Sequence, residues 1–299
     1  LFSILINQYY GNLGVSPLDS FSHFDTGYRI LNGQFPFKDF WVISGPILDY
    51  FQSILFFIFG INWQSYVLQG SLINAILTLA TYFILKKFNL DLILCFFYSF
   101  LFSILAYPSS GTPFVDHHAA LFSLLGVYFC LLALKTENKI FYILFPLLLG
   151  FAFLSKIVPS SYVIFFVGII IIFYSVVNKK ISLLKYALIT MITFVLLLSI
   201  ILKVQGITIL SFLIQYILHP LTVGDDRVGS LNLTFSNIIL HFKFIYIVFL
   251  PFVYFQLNDI LKQNQFYKKK DFYYFLIIIA LVLSLITHQV LTQNQTFIF

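Results

Sequence analysis

Few residues of this 299-residue chain can do chemistry, and those that can fall in short, separate stretches. Asp19 precedes a polar segment with helix-forming pattern. Asp39 stands in the run Lys38-Asp39-Phe40-Trp41, and Asp116-His117-His118 follows Pro113. Lys156 interrupts a long apolar region, and Asp225-Asp226-Arg227 lies between Gly224 and Gly229. A single carboxylate among cations suits a displacement in which one base takes the proton of an attacking hydroxyl. Lys, Arg and His suit the other half of such a reaction, the stabilisation of negative charge growing on a leaving phosphate. Each residue also has a plain structural role open to it. Asp before a helix is an ordinary N-cap, which covers Asp19 and Asp116. A pair such as His117-His118 can be no more than interfacial polarity. Lys156 can snorkel to the headgroups, and Asp225 to Arg227 can be a solvated turn with a local ion pair.

The elements that must position these groups follow from composition. The chain is 60% hydrophobic and 9% charged, with a mean hydropathy of +0.96, whereas soluble domains carry roughly 25% charged residues. A water-soluble fold is excluded. Crossing ~30 Å of hydrocarbon takes about 20 apolar residues, and runs such as 66–85, 90–107 and 182–202 supply them. Residues 165–174 are apolar at every position, so the spans read as helices rather than the alternating strands of a barrel. The net charge of +6 is no footprint for nucleic acid, because the lysines gather in short clusters between the apolar runs. Cys95 and Cys130 lie in separate apolar runs without metal-ligand spacing and read as inert buried residues. The 39 Phe and 19 Tyr accompany abundant Ile, Leu, Asn and Lys, which reads as coding bias rather than as a stacking platform.

Cytoplasmic loops carry the excess of Lys and Arg. Four connections do so: Lys86-Lys87, Lys135 with Lys139, Lys179-Lys180 with Lys185, and Lys262 with Lys268-Lys269-Lys270. The stretch 140–178 is about twice what one span needs at 1.5 Å per residue, so it is expected to cross twice and turn near Lys156 and Pro159. The spans then alternate over 64–85, 88–107, 118–134, 140–155, 157–177, 182–203, 238–257 and 272–291, with a remnant at 1–8. Residues 9–63, 108–118, the Lys156 turn, 205–237 and the stretch after Thr292 fall on the outer side. The expected fold is therefore an all-α polytopic transmembrane bundle forming a single domain over 1–299. It is expected to be a fragment lacking both ends, since each terminus lies in an apolar run and no initiator Met is present. The first outer loop, 9–63, far exceeds the usual connection of about four to six residues. It predicts a helix over 20–31 capped by Asp19 and stopped at Gly33, a turn around Pro36, and an interfacial apolar helix over 47–59.

Within that loop, Pro17-Leu18-Asp19, Gly27-Tyr28-Arg29-Ile30-Leu31-Asn32-Gly33, Pro36-Phe37-Lys38-Asp39-Phe40-Trp41, Gly45-Pro46 and Leu55-Phe56-Phe57-Ile58-Phe59-Gly60 follow one another. This order resembles the first extracytoplasmic loop of the GT-C class of membrane glycosyltransferases, closest to the protein O-mannosyltransferase-like and lipid A aminoarabinose transferase-like branches. Supporting matches are Asp116-His117-His118-Ala119, Gly150-Phe151-Ala152-Phe153-Leu154-Ser155-Lys156 and Asn294-Gln295. This chain has Asp19-Ser20 where many members carry Asp-Glu. The resemblance implies an inverting transferase in the plasma membrane of a bacterium, with its site on the extracytoplasmic side. The donor would be a polyprenyl-phosphate sugar and the acceptor a lipid, glycan or protein. Asp19 would be the general base, with Asp116, His117, His118, Lys156, Arg227 and Asp39 toward substrate and phosphate. A divalent metal ion is an open alternative for part of the charge stabilisation.

Two other classes compete with this reading. A transporter or lipid flippase would carry ionisable groups near the bilayer midplane on broken helices, whereas the candidates here collect in the outer connections. A lipid-linked oligosaccharide polymerase or ligase would face outward on the same carrier but leaves the first-loop pattern unexplained.

Overall fold

The computed structural model describes residues 1–14, 21–42, 44–106, 111–229 and 234–292, with side chains for all of these except 226–229 and 292. Asp19 and Asn294-Gln295 lie outside the described residues, as does the side chain of Arg227. Among the described residues regular structure is helical. α1 (Phe2–Gly11) leads to the first loop with α2 (Ser22–Leu31) and α3 (Pro46–Phe59), followed by α4 (Trp63–Lys87), α5 (Leu92–Leu105), α6 (Val115–Thr136), α7 (Lys139–Ser155), α8 (Ile157–Val177) and α9 (Ile181–Val204). α10 (Ile209–Phe212) runs through a π-helical turn (Leu213–Leu218) into α11 (His219–Gly229). A second π turn (Ser236–Leu240) precedes α12 (Lys243–Leu261) and α13 (Lys270–Thr292).

Six of these helices, α4, α6, α8, α9, α12 and α13, are long and apolar enough to cross a membrane. The chain is a helical membrane protein by this measure. α5 and α7 were also expected to span, but at 14 and 17 residues they are shorter. α5 starts late because the Asp91 side chain accepts the Ile93 N–H at 2.8 Å and caps the helix there. α7 ends where Lys156 turns extended (φ −158, ψ 133), which places the expected hairpin turn at that residue.

α6 is the central helix, with 67% of its span buried, and α12 is peripheral at 6%. α6, α7, α8 and α13 share the largest core, including Val127, Leu134, Tyr142, Val167, Ile171 and Ile277. The four lysine-bearing connections meet at one end of it. Glu137 accepts from Lys180 at 2.6 Å and from Lys270 at 3.1 Å, and Lys270 also donates to the Lys135 carbonyl at 3.1 Å. Lys135 in turn donates to the Lys87 carbonyl and lies 4.4 Å from the Phe88 ring centre. Segments distant in sequence are thus tied into one basic end, as the span alternation requires.

Two expectations are corrected and one is extended. α2 begins at Ser22 with Phe21 at its cap position and no side-chain cap, two residues later than the reading that gave Asp19 the cap; Gly33 ends it as expected, at φ +81. α3 forms where the apolar helix was expected and packs on α2 and α4, with Leu48, Asp49, Gln52, Ser53, Leu55 and Phe56 buried. The stretch 205–237, expected as a connection, is largely helical, beginning where Thr208 caps α10 by accepting the Ser211 N–H at 3.1 Å.

Candidate functional site at the end opposite the lysine cluster

The turn at Lys156, the start of α6 and the first loop come together at the other end of the bundle. Leu154 and Ile157, on either side of Lys156, share one apolar cluster with Phe37, Val42 and Ile47 of the first loop and with Leu202, Ile207, Phe212 and Tyr216. Polar contacts fix this docking. Gln215 donates to the Phe37 carbonyl at 3.0 Å and accepts the Val42 N–H at 3.2 Å. Ser211 donates to the same carbonyl at 2.5 Å, and Tyr216 donates to the Phe153 carbonyl at 2.5 Å. Tyr50 donates to Gln205 Oε1 at 2.6 Å. Burial pushes that phenol up to about 12, with the hydrogen bond to Gln205 opposing, so it keeps its proton at any physiological pH.

The first loop also seats directly on α6. Gly45, at φ +78, precedes Pro46 at the first position of α3, and a Cβ at Gly45 would lie 2.6 Å from His23 Cε1 and 2.8 Å from Val115 Cγ1. Only glycine allows both that backbone and that approach. The contact brings the loop to the residue preceding Asp116. His23 presents Nδ1–H to Asp49 Oδ1 at 2.6 Å, and Thr26 donates to the same oxygen at 2.5 Å.

Asp116 is 3% exposed and forms an ion pair with Lys156 through Oδ1. The same oxygen accepts from His288 Nε2 of α13 at 2.9 Å, and His288 is 2% exposed. Three elements far apart in sequence therefore converge on one buried carboxylate: the start of α6, the α7–α8 turn and the end of α13. His117 donates from Nε2 to the Ala106 carbonyl at 2.6 Å, and His118 from Nδ1 to the Phe114 carbonyl at 3.0 Å. Their other ring nitrogens, His117 Nδ1 and His118 Nε2, are buried and have no hydrogen-bond partner among the described residues. Each is left as an acceptor facing the protein interior.

Of the residues singled out in the sequence, Asp116, His117, His118 and Lys156 are thus brought to one region beside the first loop. Asp39 lies on that loop but is exposed, and its carboxylate accepts the Phe35 N–H at 2.7 Å, which braces the turn. Its neighbour Lys38 reaches the Gln205 carbonyl at 3.4 Å rather than Asp39. Asp25 forms a surface pair with Arg29 at 2.7 Å. Arg227 falls within α11. Sequence reading missed His288, Asp49 and His23. The signal for His288 was available, because an ionisable residue inside an apolar span is a functional candidate by default. Among the described residues no group of three or more His, Cys, Asp or Glu is arranged to hold a metal ion. Cys95 and Cys130 are buried and unbridged.

Comparison of the chain with models of known protein families, with curated proteins and with solved structures finds no match. What fold and site define together is a class: a polytopic helical membrane protein with a polar, buried cluster under a docked loop at the end away from its lysine-rich connections.

Proposed function

We propose that the chain is an inverting membrane glycosyltransferase of the GT-C type, moving a sugar from a polyprenyl-phosphate donor to a lipid, glycan or protein acceptor at the extracytoplasmic face. The observation that carries the reading is the position of the buried Asp116–Lys156–His288 cluster. It stands beside the first loop, whose sequence resembles that class, and opposite the lysine-rich end that the positive-inside rule assigns to the cytoplasm. The setting proposed is a bacterial plasma membrane.

In this reading phosphate is a leaving group that needs no general acid, and Asp19 takes the proton of the acceptor hydroxyl in a single in-line displacement, which inverts the anomeric centre. Lys156 stands where an ammonium meets the phosphate, and His117 and His118 offer further polar groups on the neighbouring turn. Arg227 is assigned to the phosphate from the sequence alone, and Asp39 acts by bracing the loop. A transporter reading finds less support, because Asp116 and Lys156 sit at a helix start and a hairpin turn and only His288 of the cluster lies further within a candidate span.

The test is transfer from a prenyl-phosphate sugar by the full-length protein. Asp19→Asn is close in shape but cannot act as a base, so transfer is expected to fall by roughly 10²–10⁴-fold with expression and donor binding retained. Asp25→Asn is expected to keep activity, since it loses only an exposed i,i+4 pair. Wild-type turnover by Asp19→Asn would remove the main support for the mechanism.

A further inference from the structure

The two donors on Asp116 Oδ1 differ in freedom. His288 lies within α13, and at 2% exposure it has no route for its ring to swing out to solvent. Lys156 belongs to the turn between α7 and α8, has extended backbone, and keeps its side chain 24% exposed. One donor is fixed and the other can leave. If Lys156 moved its ammonium to an anion with nothing else on Asp116, a carboxylate 3% exposed would be stranded without a partner, and a stranded buried charge is strongly destabilising. His288, already on the same oxygen, removes that obstacle.

We infer that His288 is a positioning residue that keeps Asp116 satisfied while Lys156 passes from the carboxylate to the donor phosphate. The inference rests on the donor-phosphate reading of this site. In the free protein Asp116 holds Lys156 ready and neutralised. When phosphate arrives, the lysine exchanges one oxyanion for another and His288 remains behind. His288 therefore acts on phosphate affinity through Asp116 without touching the phosphate itself. A purely structural triad would make His288 matter for stability alone.

The experiment measures binding of a short-chain prenyl monophosphate to the full-length protein in mild detergent, with monodispersity checked for each variant. His288→Leu is expected to weaken binding by roughly ten- to hundredfold, the equivalent of one hydrogen bond to a charged group. His288→Gln, whose amide nitrogen reaches about as far as Nε2, is expected to restore most of it. In an Asp116→Asn background His288→Leu is expected to change binding by less than about threefold, because the uncharged amide no longer depends on that donor. Binding that needs Lys156 but is unchanged in His288→Leu overturns this inference and leaves the donor-phosphate reading standing. No binding by the wild type, or binding indifferent to Lys156→Met, overturns that reading and this inference with it. Should His288→Leu not be recovered folded, His288→Gln is compared with His288→Asn, whose shorter amide falls short of Asp116; equal affinities overturn the inference.

Discussion

Removing Lys156 tests whether the cluster on Asp116 is energetically one unit. Lys156→Met deletes one of two donors to a carboxylate that is 3% exposed. His288 remains at 2.9 Å, so the cost is that of one hydrogen bond to a charged group, about 1.5–3 kcal/mol, and not the larger penalty of a fully stranded buried charge. Asp116→Asn strands less. The Lys156 side chain, 24% exposed, can turn its ammonium toward the headgroups, and His288 keeps an amide oxygen to donate to, so about 1 kcal/mol is expected. Combining them places the methionine beside a neutral amide, and the double variant is expected to lose about 1–2 kcal/mol less than the sum of the singles. Equilibrium unfolding of the full-length protein in mixed micelles, followed by helix content, measures all four corners of the cycle. Losses that add to within about 0.5 kcal/mol would refute the coupling and with it the shared-site geometry.

Gly45→Ala is expected to loosen the first loop: its φ of +78 and the 2.6 Å approach to His23 Cε1 together cost about 2–4 kcal/mol, read as easier proteolysis of the loop and a lower unfolding midpoint. Glu137 titrates well outside the cluster, at the lysine-rich end, where the hydrogen bond from Lys180 leads in holding its carboxyl below the ordinary 4.5 against the cost of burial. A depressed carboxylate stabilises the fold fully above its unfolded value and loses that contribution as pH falls through the folded one. Stability is therefore expected to be flat above about pH 5 and to decline below 4.5, with Glu137→Gln losing less over that window; identical pH profiles would discount the bridge. Cysteines placed at Ser20 and Lys269 test the topology, with Ser20→Cys expected to react with an impermeant maleimide in intact cells and Lys269→Cys only after permeabilisation. Reaction of Lys269→Cys from outside would invert the assignment.

What the sequence made legible is what is local. Twenty apolar residues in a row, a lysine pair at a run's end and a 39-residue apolar stretch with one lysine in it each declare a span or a turn without reference to anything distant, and α4, α6, α8, α9 and α13 formed within a few residues of the expected bounds. The stretch 205–237 did not declare itself because its polarity is mixed and Pro220 falls within it. The π-helical turn over Leu213–Leu218 comes just before that proline, where a regular α turn would set its ring against the Tyr216 carbonyl. Partners across the chain were illegible for a different reason. His288 and Asp116 are 172 residues apart, and which faces of α6 and α13 meet depends on side-chain fit that no window of sequence contains.

The structure nonetheless separates two buried carboxylates that sequence could not rank. Asp49 is 1% exposed and Asp116 3%, so each draws its donors from inside the protein, although Asp49 Oδ2 finds none among the described residues. Asp49 takes His23 and Thr26, both on α2, and both bonds run between the paired helices of the first loop. His23 is itself buried, and both donors belong to a helix packed against α3, so neither is a mobile cation. Asp116 takes one donor of that fixed kind, His288, and one that is part-exposed on a turn, Lys156. A carboxylate whose every partner is locked holds structure together. A carboxylate that keeps one locked partner and one releasable cation can lend that cation to an incoming anion and stay satisfied. The difference between the two sites lies less in their acids than in the freedom of what is bound to them, and it is why the proposed anion site is placed at Asp116 and Lys156 while Asp49 is read as part of the first loop's architecture.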